Sequence, residues 1–202
     1  MLERTHPMKL ILASQSPRRK EILENLGLSF EIVVANADES SPLTDPCALV
    51  ELLSHRKAAA VRERLLSEGR DLSDTVILAS DTVVAVDGQI LGKPRDAADA
   101  KRMLGLLSGR AHQVVSGVCL MSLDREGVSH EVTEVVFDPL EEDTVNAYIE
   151  KAQPYDKAGA YAIQGLASAY IRGIRGDYFN VVGLPVHETC ALYRKIFHEN
   201  LL

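Results

Sequence analysis

The junction between residues 8 and 27 constrains this chain most. Met8 to Leu12 reads as a short apolar strand, and at Ser16 the pattern switches to that of a helix. Ser16 is a capping residue type, Pro17 suits a first helical turn because it has no N–H to lose, and Gly27 can end the run. Ile22, Leu23 and Leu26 fall at helical spacing and predict one buried face. Arg18 and Arg19 break the pattern. They put two like charges in the first turn, where backbone N–H groups and the helix dipole already favour an anion. That placement predicts a polyanion site just after a strand, the usual ligand position in open α/β folds. Solvated surface arginines give the same letters, so the rest of the chain must decide.

A polyanion site has to be reconciled with the overall charge. The 202 residues carry a formal net charge of -7, and the only compact basic run is Arg18-Arg19-Lys20. This argues against a nucleic-acid partner and for a local pocket in which a divalent cation shares the charge. The length permits one large domain or two small lobes. Cys47, Cys119 and Cys190 are far apart and odd in number, which fits a reducing compartment and gives no metal motif, and the six histidines show no zinc spacing. No apolar run reaches membrane-spanning length and Met1 to Pro7 is polar, so the expectation is a cytoplasmic protein without a membrane partner.

Along the chain, Phe30 to Val34 is a second apolar run, followed by a polar, turn-rich loop that contains Glu39. A helix is predicted from Thr44 or Asp45 to Glu68, with Leu49, Leu53, Lys57, Val61 and Leu65 spaced four apart. Lys57 interrupts that stripe; it either snorkels out of the core or points its ammonium into a cleft. Thr75 to Ala79 is strand-like, with Ser80-Asp81-Thr82 closing it before Val83 to Val86. Asp87-Gly88 is a hairpin signal, Gln89 to Leu91 returns, and Gly92-Lys93-Pro94 is a turn presenting a lysine. Helices are predicted over 96–107, 141–151 and from about 183 to 197. Strands are predicted over 113–123, 128–137, 169–174 and 178–182. Between them, Tyr155 to Gly165 is rich in small residues, which suit close backbone approach to a ligand or tight packing equally. The alternation is irregular and predicts a mixed α/β fold.

The unusual polar residues are Arg18, Arg19, Lys57, Lys93 and Lys157 against Glu39, Asp81 and Asp156. Arginine forks and lysine point charges bind phosphate oxygens, whereas carboxylates repel them unless Mg²⁺ or Mn²⁺ stands between. The set describes phosphoryl chemistry on a nucleotide. A P-loop and a dinucleotide fingerprint are both absent from the sequence.

Eight blocks together carry a resemblance: Ser14-Gln-Ser-Pro-Arg-Arg19, Asp38-Glu39, Lys57-Ala58, Ser80-Asp-Thr-Val-Val84, Leu91-Gly-Lys-Pro94, Leu107-Ser-Gly-Arg110, Asp156-Lys-Ala-Gly-Ala-Tyr-Ala-Ile-Gln-Gly165 and Asn180-Val-Val-Gly-Leu-Pro185. In number and order they resemble the Maf family of nucleoside triphosphate pyrophosphatases, in the branch acting on dTTP and UTP. The resemblance implies an elongated, twisted mixed sheet with flanking helices and a central cleft between two lobes of one domain, in a homodimer. It implies hydrolysis of dTTP, UTP and modified pyrimidine triphosphates to the monophosphate and pyrophosphate with Mg²⁺ or Mn²⁺. Ser14, Arg18 and Arg19 would hold the triphosphate, supported by Lys157. Lys57 and Lys93 would stabilise charge, Glu39 and Asp81 would hold the metal, and Asp81 would accept the proton. Thr82 and Gln164 would read the base. Two departures stand out: Gln153 where the family usually has a glutamate, and Asp177 where a serine is common. The lost carboxylate at 153 predicts altered metal or water positioning. The alternatives are a 7-methyl-GTP pyrophosphatase and a nucleotide-binding regulator of septum formation that does not hydrolyse.

Overall fold

The computed structural model describes residues 8–202. His6 and the polar stretch Met1 to Pro7, on which the cytoplasmic expectation rested in part, lie outside them. Among the described residues, six α-helices and seven strands make a mixed α/β fold. In chain order they are β1 (Lys9–Leu12), α1 (Pro17–Asn25), β2 (Phe30–Ile32), α2 (Pro46–Ser67), β3 (Thr75–Val86), β4 (Gln89–Leu91), α3 (Ala97–Leu107), β5 (Ala111–Met121), β6 (Glu126–Phe137), α4 (Glu142–Ala152), β7 (Ile171–Arg175), α5 (Tyr178–Val182) and α6 (Val186–Phe197). The sheet order is β2-β1-β3-β5-β6-β7, with β4 hairpinned onto β3. β1 runs parallel to β2 and β3, and the remaining pairs are antiparallel.

Strand alternation sorts the side chains onto two faces. Odd residues of β3 and β5 (Ile77, Ala79, Cys119, Met121) pack with Ala58, Val61 and Leu65 of α2. Even residues (Val76, Leu78, Val118, Leu120) pack with Ile22 and Leu23 of α1, Val182 of α5 and Leu192 of α6. Further along the same face, Val84, Val86 and Val114 join α3, α4 and Tyr161. Full burial of each large aliphatic side chain contributes about 1.5–3 kcal/mol, so both faces are firmly covered. Among the described residues no helix is long and apolar enough to cross a membrane.

Three local expectations are corrected. Ser80-Asp81-Thr82 does not close a strand: β3 runs through it, because Asp81 pairs with Gly117 and Thr82 with Ser116 of β5. Residues 178–182 are α5, not a strand. Aromatic and β-branched residues gave the run a strand-like composition, but Asp177 caps it by accepting from the N–H groups of Phe179 and Asn180. The predicted strand at 169–174 is displaced to Ile171–Arg175 by a 3-10 turn over Leu166–Tyr170.

One edge of β3 stays open in its middle. β1 pairs with Thr75 to Leu78 and β4 with Val84 to Val86. Residues 79–83 therefore have no strand partner on that side among the described residues, and a cleft enters the sheet there.

Candidate active site

The cleft has a volume of about 1040 Å³, and the ten residues expected to bind or act on substrate line it: Ser14, Arg18, Arg19, Glu39, Lys57, Asp81, Thr82, Lys93, Lys157 and Gln164, with Asp156 beside them. Each arrives from an element whose local sequence explains it.

α1 supplies the anion end. Ser16 occupies the cap position but makes no side-chain cap bond, and the first turn holds no acid. Its leading amides are left for a ligand. Ser14 Oγ instead accepts from Ser16 N at 3.2 Å and from Arg19 Nη1 at 3.2 Å. With both lone pairs engaged, the Ser14 hydroxyl offers its proton to the cleft, which suits a phosphate oxygen. Arg18 pairs loosely with Asp156 at 3.5 Å, and Asp156 with Lys157 at 2.5 Å.

Arg19 behaves differently from Arg18. Its Nε donates to Gly183 O at 2.7 Å and its Nη2 to Thr82 Oγ1 at 3.2 Å. It thus ties α1 to β3 and to the turn before α6. Desolvation outweighs the attraction of Asp81 and holds its pKa below the usual arginine value. No carboxylate lies within ion-pair distance of Arg19 among the described residues, so its charge remains available to an anion.

The opposite wall carries the acids. Being odd in register, Asp81 faces α2, where Lys57 of the apolar stripe meets it in a close ion pair. The same ammonium reaches Glu39 Oε1 at 3.0 Å. Lys57 therefore points into the cleft, the second of the two orientations its spacing allowed. The Lys57 hydrogen bond, helped by the charges of Lys57, Lys93 and Arg19 against desolvation, holds the Glu39 carboxyl below the usual range.

Glu39 sits on an exposed loop, and its place depends on a residue the sequence reading passed over. Arg56 donates to the carbonyls on either side, Asp38 O at 3.0 Å and Ser40 O at 2.7 Å. Only its position beside Lys57 on α2 hinted at this. The small-residue segment from Tyr155 to Gly165 is fixed by Gly159 N donating to Gly92 O at 3.0 Å, which holds it beside the Lys93 turn. A Cβ at Gly159 would come within 2.8 Å of Val84, so the approach requires glycine there. Ser116 was also passed over, and Ser80 and Asn180 stood in the quoted blocks without a role. All three are fully buried, and they bond Gly183 O, Thr82, the β5 backbone at Val114 O and the Thr133 hydroxyl of β6 behind the cleft.

Gln153 does not line the cleft. It sits in the left-handed conformation at the end of α4, and its Nε2 donates back to Glu150 O at 2.9 Å. An amide N–H can satisfy a helix-terminal carbonyl and a carboxylate cannot. The expected loss of metal or water positioning at 153 therefore has no counterpart in the site. Asp177 caps α5 as a serine would.

A model of the Maf family, described as "Maf-like protein", matches residues 9–196. The chain belongs to the Maf family. Among its curated relatives, the dTTP/UTP pyrophosphatase of Symbiobacterium thermophilum is 50% identical over 185 residues, 91% of this chain and 92% of the relative. The enzyme of the same name from Bacillus cytotoxicus is 45% identical over 179 residues, 88% and 90% of the two chains. Among solved structures, the Staphylococcus aureus Ham1 protein aligns with a TM-score of 0.46 at 12% identity, covering 64% of this Maf chain and 71% of its own.

Proposed function

We propose that this Maf protein hydrolyses dTTP and UTP to the nucleoside monophosphate and pyrophosphate. The observation that carries this reading is the clamp of Asp81 and Glu39 around Lys57, set across one cleft from the uncapped start of α1. The family and the names of its curated relatives support the substrate and the bond cleaved.

Ser14, Arg18 and the first amides of α1 bind phosphate oxygens, with Lys157 and Arg19 adding charge. Lys57 and Lys93 stabilise the charge that builds on the phosphoryl and pyrophosphate oxygens. Asp81 orients the attacking water and takes its proton. Thr82 and Gln164 read the base.

A divalent cation fits the donor set. Glu39 and Asp81 lie within the span of one ammonium, and both offer the hard oxygen ligands that Mg²⁺ and Mn²⁺ prefer. No cluster of three or more potential protein ligands occurs among the described residues, so phosphate oxygens and water would complete the shell. That arrangement is usual for Mg²⁺ in phosphoryl-transfer sites. When bound, the cation would supply positive charge to the triphosphate. The chain is further read as a cytoplasmic homodimer; the family resemblance supports the dimer, and its three free cysteines support a reducing compartment.

The test is a panel of nucleoside triphosphates, including 7-methyl-GTP, incubated with Mg²⁺ or Mn²⁺ and followed by product identity. Monophosphate plus pyrophosphate from dTTP and UTP is expected. Preferred turnover of 7-methyl-GTP would move the chain to the sibling activity, and intact nucleotides throughout would leave a binding role. Sedimentation of the purified chain tests the dimer.

A further inference from the structure

The hydrogen-bond chain behind Thr82 has a direction, and the direction decides what Thr82 can recognise. Gly183 O already accepts from Arg19 Nε at 2.7 Å and from Ser80 Oγ at 3.0 Å, filling both lone pairs. It leaves little for Thr82 Oγ1, which lies 3.4 Å away. Ser116 Oγ lies 2.8 Å from Thr82 Oγ1 and 2.9 Å from the backbone carbonyl of Asn180. A carbonyl only accepts, so Ser116 donates to Asn180 O and must accept from Thr82. Asn180 is pinned in turn, its Nδ2 donating to Val114 O at 3.0 Å and Thr133 Oγ1 at 2.9 Å. Ser116 and Asn180 are fully buried, so no water competes for these protons.

Thr82 Oγ1 therefore has its proton turned inward to Ser116 and one lone pair taken by Arg19 Nη2. Thr82 therefore presents the cleft with a single acceptor and no donor. Phosphate oxygens, also acceptors, cannot pair with it. This is the opposite polarity to Ser14, which offers only a donor at the phosphate end. We propose that Ser116 fixes the polarity of Thr82 so that the cleft accepts a hydrogen bond from the imide N–H of uracil or thymine and rejects cytosine, whose ring nitrogen at that position is itself an acceptor. Ser116 is thus a positioning residue for base specificity. The inference rests on the proposed pyrimidine triphosphate reading.

The discriminating experiment measures binding, not turnover, using the non-hydrolysable probes α,β-methylene-UTP and α,β-methylene-CTP with Mg²⁺ in calorimetry. The wild type is expected to prefer the uridine probe by about tenfold or more, the scale of one buried hydrogen bond mismatched against an acceptor. In Ser116→Ala the Thr82 hydroxyl loses its inward acceptor and can turn its proton to the ligand. The cytidine probe should then bind more tightly than it does to the wild type, and the preference should fall to about threefold or less. Damage to the fold cannot produce that gain. Thr82→Val, with no oxygen to offer, should weaken the uridine probe about tenfold while pyrophosphate affinity holds. Equal affinity of the wild type for the two probes, including failure to bind either, overturns the proposal. So does an unchanged preference in Ser116→Ala. If the wild type discriminates between the probes yet leaves UTP intact, the hydrolytic reading fails and the polarity assignment stands.

Discussion

Asp81 and Glu39 share one lysine but are not equivalent. Asp81 is mostly buried on a central strand, whereas the Glu39 side chain is 59% exposed on a loop. A strand-borne carboxylate is the better placed to hold a water against phosphorus, since its position does not depend on loop order. Asp81→Asn keeps shape and hydrogen bonding but removes the base, and should lower kcat by about 10² or more with nucleotide affinity little changed. Single-turnover kinetics beside calorimetric binding separates the two effects, and retained turnover would take Asp81 out of the chemistry. Gln153 supplies the contrast. Its amide closes the end of α4 outside the cleft, so Gln153→Glu should leave metal-dependent turnover within about twofold while costing about 1 kcal/mol of stability. A gain in turnover with the glutamate would restore a role for position 153 in the site.

α2 is the element that delivers the chemistry, and a glycine sets its height above the sheet. A Cβ on Gly117 of β5 would lie 2.3 Å from the carbonyl oxygen of Val50 and 2.5 Å from its carbon. Both are backbone atoms, so the helix itself would have to move. Gly117→Ala should cost about 1–3 kcal/mol and depress kcat as well, because Lys57 rides on the displaced helix. Gly105→Ala in α3, where nothing lies within 4 Å, should raise stability by up to about 1 kcal/mol with kcat unchanged. Urea unfolding and initial rates on the pair decide whether helix height matters to turnover. Much of this element was legible beforehand: the four-residue spacing gave α2 its buried stripe and marked Lys57 as the exception. Seven of the ten cleft residues were legible for a related reason, as charges in places where a plain surface or core would not put them, whereas Ser14, Thr82 and Gln164 came only from the family resemblance. What could not be read were features that long-range pairing creates. β3 runs through Asp81 because of Gly117 and Ser116 across the sheet. α5 is a different case: its cap at Asp177 is a local signal, masked by the strand-like composition that follows it. Arg56, Ser116 and Asn180 act through partners distant in sequence, and nothing in their local pattern announces that.

At the scale of the whole molecule, acid stability should be governed in part by a residue away from the chemistry. His112 of β5 is buried between Phe137 and Tyr161, edge-on to both rings at 5.1 and 5.4 Å. Its Nε2 meets the Tyr161 hydroxyl at 2.7 Å, while Nδ1 is buried without a hydrogen-bond partner. Desolvation, with a smaller contribution from Arg110, lowers its pKa from 6.5 to about 4. Between those values the unfolded chain binds a proton that the folded one refuses. The contribution to stability is therefore complete above pH 6.5 and is lost as pH falls toward 4. At about 1.4 kcal/mol per pH unit, acidification from pH 7 to 4.5 should remove about 2–3 kcal/mol. Glu39, whose pKa is depressed, loses its favourable pairing only as pH falls through its own lower value, so the two effects occupy different windows. His112→Gln cannot titrate but can still bond the Tyr161 hydroxyl. Its unfolding free energy should start lower at pH 7 and stay nearly flat to pH 4.5, where the wild type declines. Parallel profiles for the two proteins would mean that the acid sensitivity lies in the carboxylates.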